Sequence, residues 1–446
     1  MKFGGYFRNL FLMAGDVIGI YGVWVFSLWF YQLVGVDVHL HSLRFYSRLW
    51  PIGIAFVVLN AALRLYQGHV FSPAAPVSPV EELRRLVLSS AVVHLGLIAA
   101  LVFAFQTTDH YSRAVIVIAG SLTGFAAQSL REIVRWGLKR LRIGQIPVVL
   151  LGSGALVERL RETLSKDAYT GFRVVDGDPA QHVDVALVCQ DAQGFQSGFE
   201  SLFRRYTHVE YVPGSEAVPL SGARAMAFDG VGVLELVNRR RMRSLRVEKW
   251  LVDKLLTLLA VAFLSPFFVI VPILIKLTSR GPVFYRQKRL GREGREIRVW
   301  KFRSMYADAD ARLKRILAED PQRAAEWASS FKLRDDPRVT PLGRFLRKTS
   351  IDEFPQLFNV LSGDMALVGP RPIVEAEVKH YGSAYGVFSS VKPGITGLWQ
   401  VSGRSDADYA RRVALDTQYV LNWSPWLDLW ILKKTVFAVL FMRGAC

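Results

Sequence analysis

The chain has 446 residues, 51% of them hydrophobic, with a mean hydropathy of +0.23 and a formal charge of +18. That length leaves room for two or three domains, and that apolarity excludes an ordinary soluble globule and points to membrane segments. The positive excess needs nucleic acid or an anionic lipid leaflet to explain it, since phosphate substrates require only local cations.

The first apolar stretch is too long for a cleavable signal peptide and continues as a span. Four stretches, 10–33, 49–65, 83–105 and 114–134, carry enough apolar length to cross a bilayer. The second is short and carries Asn60, and the first carries Asp16, which reads as a group near a membrane face or another helix. Cations gather in alternate flanks: Lys2 and Arg8, then Arg64, Arg84 and Arg85, then Arg131, Arg135, Lys139, Arg140 and Arg142. The positive-inside rule then places both ends of a four-span unit, residues 1–142, in the cytoplasm. Residues 72–79, rich in Ser, Pro and Ala, read as an extended cytoplasmic connection.

From Ile146 strands and helices alternate. Residues 147–155 (PVVLLGSGA) read as strand, glycine turn and helix start, with further strands at 172–175, 183–188 and 209–212 and a helix near 195–206. This predicts a Rossmann-like α/β cytoplasmic domain over 143–238. Gly152-Ser-Gly154 suggests a dinucleotide, yet Val157 stands where a third glycine belongs and Asp176 is a poor ribose-binding acid. A structural or regulatory module is the better reading. The alternative, an NAD-linked nucleotide-sugar-modifying enzyme, requires a complete glycine fingerprint and a Tyr-x-x-x-Lys pair, and the sequence has neither. Cys189 and Cys446 stand too far apart for a disulfide framework or metal spacing, and the eight histidines form no ligand pattern.

The third region, 239–446, begins with a basic run leading into an apolar stretch, 255–277, broken by Ser265-Pro266 and Pro272. Its flanks, Arg246, Lys249 and Lys254 before and Lys276, Arg280 and Arg286 after, are both basic. A true span would export one flank against the positive-inside rule. A proline-broken hairpin that re-enters the same face avoids this, and serine can satisfy backbone groups freed at the break. Everything after it would then lie at the cytoplasmic membrane surface. Residues 282–287 and 296–303 read as a strand pair around Gly291 and Gly294, 307–319 as a helix, and 320–339 as a polar connection. At 421–441, Trp423, Trp426, Trp430, Lys433 and Lys434 suggest an interfacial amphipathic helix, with a plain core helix as the competing reading.

The stretch 348–372 (KTSIDEFPQLFNVLSGDMALVGPRP) puts Asp352 and Glu353 directly before an apolar helical run. Pro355 is excluded from a helix interior, so the helix starts near the two acids and its free N–H groups lie beside them. Ser350 to Glu353 also fits a capping box, the commoner role of such a tetrapeptide. Its surroundings reverse the odds: Gly369-Pro-Arg371-Pro and VKPGITGLWQVSGR, 391–404, set cations on glycine- and proline-fixed loops, which suits a diphosphate. The cations cluster there and beside apolar segments rather than in a recognition helix, so nucleic acid is not the expected partner.

At these motifs, together with Lys301-Phe-Arg303-Ser-Met305, Gly403-Arg404, Asp416 and Asp428, the region from about 239 to 442 resembles the bacterial sugar transferase family, the polyprenyl-phosphate hexose-1-phosphate transferases. The resemblance implies transfer of galactose or glucose 1-phosphate from a UDP-hexose to undecaprenyl phosphate, releasing UMP, at the cytoplasmic face of a bacterial inner membrane. It also implies a small, mostly helical catalytic domain after the hairpin, a ping-pong course through an aspartyl-phosphosugar, Mg²⁺ as cofactor, and a homodimer. On this basis Asp352 is the nucleophile and Glu353 the Mg²⁺ ligand. Lys301, Arg347, Arg371 and Arg404 rank above Arg303 as a phosphate clamp. Asp416 and Asp428 match family acids and would orient an arginine or the metal, or form structural salt bridges.

Overall fold

The computed structural model describes residues 4–34, 49–66, 78–103, 112–175, 183, 185–189, 202, 205–206, 208–212, 224–228, 231–235, 242–320, 322–324, 336–402 and 409–440. Arg404, Asp176, the connection 72–77 and most of the expected 195–206 helix and 320–339 connection lie outside them. The chain is mostly helical with small sheets and divides into two compact units, Met1–Val218 and Pro219–Cys446.

In the first unit, α1 (Gly4–Leu33), α2 (Pro51–Ala62), α3 (Pro79–Phe103) and α4 (Arg113–Arg140) pack together. Phe7–Leu33, Pro79–Val102 and Arg113–Arg140 are long and apolar enough to cross a membrane. The expected second span is α2, of only 12 residues. It rises about 18 Å against a hydrocarbon thickness of about 30 Å. Small residues let the long helices approach: a Cβ on Gly19 would lie 3.1 Å from Leu130, and one on Gly124 only 2.7 Å from the Val87 Cα.

The polar residues of these helices meet inside. Fully buried Asp16 accepts hydrogen bonds from Arg131 (2.7 and 2.5 Å), Tyr66 (2.6 Å) and Asn60 (3.2 Å). Arg131 also donates to Glu82 at 3.0 Å, and Glu82 receives Arg135 (2.8 and 2.6 Å) and the Tyr169 hydroxyl (2.9 Å). Charges withdrawn from water persist only when paired in this way. Asp16 is therefore a packing residue of the bundle.

After the helices, β1 (Ile146–Gly152), β2 (Phe172–Val174), β3 (Val185–Cys189) and β4 (His208–Tyr211) form a parallel sheet in the order β2-β1-β3-β4. Gly152 and Gly154, at φ of 130° and 96°, turn the chain from β1 into α5 (Ala155–Lys166), a path closed to residues bearing a Cβ. Every residue of β3 is buried, as expected of a central parallel strand.

The described part of the second unit begins with the hairpin β5 (Arg224–Phe228) and β6 (Val231–Glu235), then α6 (Arg243–Phe263) and α7 (Ser265–Thr278). The α6–α7 pair is bent by 58°. Pro266 falls in the first turn of α7, where its missing N–H costs nothing, and the Ser265 hydroxyl donates to the Ala262 carbonyl at 2.8 Å. Val271 and Ile275 of α7 are buried with Phe302 and Leu346, while Trp250, Leu255, Leu259, Phe263, Ile270 and Leu277 are exposed. An apolar band of that extent suits a lipid environment.

Next, β7 (Phe284–Leu290) pairs antiparallel with β8 (Glu296–Phe302), and α8 (Ala309–Glu319), α9 (Pro341–Lys348) and α10 (Gln356–Ser362) follow. The strands β9 (Ala366–Val368) and β10 (Gly394–Thr396) lie parallel, ahead of α11 (Tyr409–Leu421) and α12 (Pro425–Leu440). The tryptophan-rich tail is divided in character. Trp423, Leu427 and Ile431 are core residues, whereas Val436, Phe437 and Val439 remain exposed.

Candidate active site

Strand β8 carries Lys301, and the turn between α9 and α10 carries the two acids. Ser350, in the left-handed region at φ 58°, ends α9, and Ile351–Glu353 forms a single 3₁₀ turn before Pro355 and α10. Ser350 makes no side-chain capping bond, so the capping box permitted by the sequence does not form. Asp352 is 7% exposed, and Lys301 Nζ lies 2.7 Å from Glu353 Oε1 and 3.9 Å from Asp352 Oδ2. Burial pushes the Asp352 carboxyl up to about 6, and nearby Glu353 adds to the rise while Lys301 and Arg347 oppose it.

Buried Asn359 locks this arrangement. Its side chain accepts from the Trp300 amide (2.9 Å) and donates to the Arg298 carbonyl (2.8 Å), joining α10 to β8 next to Lys301. From the start of α7, Phe267 packs edge-on to Phe354 (5.8 Å) and Phe268 against Phe358 (5.1 Å). The bend between α6 and α7 therefore supports the turn holding the acids.

The two glycine-rich motifs also come together. The Gly369 amide donates to Thr396 O, and the Gly394 amide donates to Pro370 O, each at 2.9 Å. The backbones are so close that a Cβ on Gly369 would meet the Gly394 amide at 2.7 Å. Glycine at these positions serves backbone contact.

The remaining candidates separate into groups. Arg347 Nε donates to Ser304 Oγ at 2.9 Å, and its charge acts on Asp352. Arg371 lies over the Trp399 ring, 5.8 Å from its centroid, and its charge acts on Asp416. Asp416 accepts from the Tyr381 hydroxyl at 2.9 Å, with Arg412 at 3.9 Å, and burial raises its carboxyl to about 6. Arg303 turns away, donating to the Ser279 carbonyl and hydroxyl at 2.8 Å each. Asp428 accepts from Lys249 (2.9 Å), Tyr419 (2.8 Å) and Trp423 (3.0 Å), an arrangement that ties α12 to α6.

Asn359, Lys249, Tyr381 and Arg412 carry much of this geometry, and sequence reasoning missed their roles. Asn359 alone left a trace, as a polar residue inside the apolar run of α10.

Could a hard cation sit here? Among the described residues no group of three or more His, Cys, Asp or Glu could hold a metal. Magnesium, however, commonly uses one or two carboxylates with substrate phosphate and water. Two adjacent carboxylates that already draw an ammonium between them fit that habit.

Residues 244–442 match the family model described as bacterial sugar transferase. The undecaprenyl-phosphate galactose phosphotransferase of Salmonella typhimurium is 35% identical over 398 residues, covering 82% of each chain. A UDP-glucose:undecaprenyl-phosphate glucose-1-phosphate transferase of Klebsiella pneumoniae is 35% identical over 269 residues, 58% of this chain and 55% of its own. The exopolysaccharide production protein ExoY of Sinorhizobium fredii is 47% identical over 193 residues, 43% of this chain but 85% of its own.

Proposed function

The chain belongs to the bacterial sugar transferase family, and on that premise we propose that it moves a hexose 1-phosphate, galactose or glucose, from a UDP-hexose to undecaprenyl phosphate, releasing UMP. The observation that carries the reading is buried Asp352, its carboxyl raised to about 6, facing Lys301 beside Glu353. A carboxylate of that basicity is ionised at neutral pH yet more nucleophilic than an ordinary one.

An Asp352 oxygen attacks the sugar-bearing phosphorus. A P–O bond forms, the bond to the bridging oxygen breaks, and UMP departs with that electron pair. An oxygen of the lipid phosphate then attacks the same phosphorus and displaces Asp352, leaving a diphosphate-linked hexose and a free carboxylate. Lys301 and Arg347 offset the phosphate charge beside the nucleophile, and Arg371 and Arg404 hold the rest of the donor. Glu353 would hold Mg²⁺, an ion that neutralises phosphoryl oxygens when bound. Asp416 and Asp428 act as supports: the first orients Arg412 and Tyr381, the second fixes Lys249.

The α6–α7 pair is read as a re-entrant hairpin in a bacterial inner membrane, with catalysis at the cytoplasmic face, where the lipid phosphate lies. α2 completes a four-helix membrane unit over 1–142, the parallel sheet belongs to a Rossmann-like domain over 143–238, and the enzyme acts as a homodimer starting a cell-surface polysaccharide. That the family model matches residues 244–442, and that ExoY of Sinorhizobium fredii is covered over 85% of its own length by a match to only 43% of this chain, supports catalysis residing in 239–446.

The test pairs wild type with Asp352→Asn in Mg²⁺, with UDP-galactose or UDP-glucose and undecaprenyl phosphate. Wild type should release UMP, carry a phosphosugar adduct and stop in EDTA. An Asp352→Asn protein that keeps full activity would reject the mechanism.

A further inference from the structure

The first unit holds a set of cations that the proposed reaction leaves unused. A cavity of about 300 Å³ opens where the basic end of α4 meets α5 and β2, and its lining includes Arg8, Lys139, Arg161, Asp167 and Arg173. The acid is engaged locally: Asp167 accepts from the amides of Tyr169 (2.9 Å) and Thr170 (2.8 Å) and from the Thr170 hydroxyl (2.6 Å). Lys139 donates to the carbonyls of Ser165 (2.7 Å) and Asp167 (3.0 Å), which among the described residues leaves one of the three N–H groups of an ammonium.

Arg8 is the unusual member. It is only 2% exposed. Its Nη2 donates to the carbonyls of Tyr169 and Ala168, while its Nε has no hydrogen-bond partner among the described residues. No carboxylate among the described residues forms an ion pair with it. Asp167 and Glu82 act on this guanidinium only at longer range, without a direct ion pair. A cation held out of water with its donors incompletely used is costly, so an anion in this cavity would stabilise the fold.

We infer that the cavity binds a phosphate group at the end of the membrane-crossing helices, carried by an anionic phospholipid headgroup or by a free phosphate compound. Arginine offers paired donors to phosphate oxygens. Basic pockets beside the ends of spans hold anionic headgroups. This inference is independent of the reaction proposed above.

The test follows thermal unfolding of the full chain in neutral detergent. Phosphatidylglycerol is titrated against phosphatidylcholine, and sodium phosphate against sodium chloride at equal ionic strength. A saturable rise in Tm with phosphatidylglycerol but not inorganic phosphate identifies a lipid site; an equal rise with phosphate identifies a free-phosphate site. Arg161→Gln/Arg173→Gln should need at least about tenfold more ligand, since each lost charge-assisted hydrogen bond is worth over 1.4 kcal/mol, a factor of ten. Arg173→Gln alone, at an exposed position, should give a smaller change in the same direction and guards against misfolding of the pair. Equal shifts with phosphatidylcholine or sodium chloride, or variants that respond as wild type does, would overturn the inference.

Discussion

Replacing Asp352 by Asn should make the protein more stable as well as inactive, and the gain should depend on pH. Burial raises this carboxyl from 3.8 to about 6. The folded state thus binds the proton more tightly than the unfolded chain does. Stability is full below pH 3.8 and is lost as pH rises through 6, where the buried group must ionise. Two pH units at about 1.4 kcal/mol each give roughly 3 kcal/mol. Asparagine has nearly the same shape and never ionises, and Lys301 keeps Glu353 at 2.7 Å as its partner. The variant should therefore match wild type near pH 4 and exceed it by roughly 3 kcal/mol above pH 7, a Tm difference on the order of 5–10 °C. Asp416, also raised to about 6, is present in both proteins and cancels. Thermal scans of the detergent-solubilised pair from pH 4 to 8, at one scan rate, make the comparison. A difference that stays flat with pH, or a variant less stable at pH 8, would refute the claim that Asp352 is held at a cost.

Two further outcomes follow from named contacts. Lys301→Met removes a charge 3.9 Å from Asp352, worth about 1 kcal/mol even at the dielectric constant of water and more in a partly dry site. The acid limb of the kcat/KM–pH profile for UMP release should move up by about one pH unit or more, whereas Lys288→Met, on an exposed side chain paired with Glu296, should leave it in place. In the first unit, Arg131→Met strands buried Asp16, an imbalance worth about 3–5 kcal/mol. Asp16→Asn in the same protein should restore part of the lost Tm, and a single variant as stable as wild type would show that the pair carries no such weight.

How much of this was legible depended on the range of each interaction. The turn after β1 could be read because glycine alone adopts the φ of 130° at Gly152. The break at Ser265-Pro266 could be read for the same kind of local reason. The pairing of Asp16 with Asn60 and Arg131 could not, although Asp16 and Asn60 stood out as polar residues in apolar surroundings and Arg131 read as a flanking cation, because sequence marks an unsatisfied group without naming its partner. The fates of Arg303 and Asp428 were hidden likewise. Arg303 follows Lys301 by two residues, yet it bonds Ser279, and Asp428 finds Lys249 from 179 positions away.

The local turn at Asp352 gives the sharpest case, because two valid local rules competed there. Ser350-Ile-Asp-Glu353 satisfies the pattern of a cap, and a free helix would have used it. In the protein, Asn359 fixes α10 to β8, and Phe354 and Phe358 are held by Phe267 and Phe268 of the bent pair. With both ends constrained, the chain passes through a left-handed Ser350 whose side chain makes no capping bond and then a 3₁₀ turn, and the two carboxylates lie beside Lys301. Tertiary contacts thus displace the capping box of Ser350 and Glu353, and Asp352 is left buried in the turn beside Lys301. On this argument the basicity proposed for the nucleophile and the position of the bend between α6 and α7 have one cause: the aromatic packing that joins the bend to the turn.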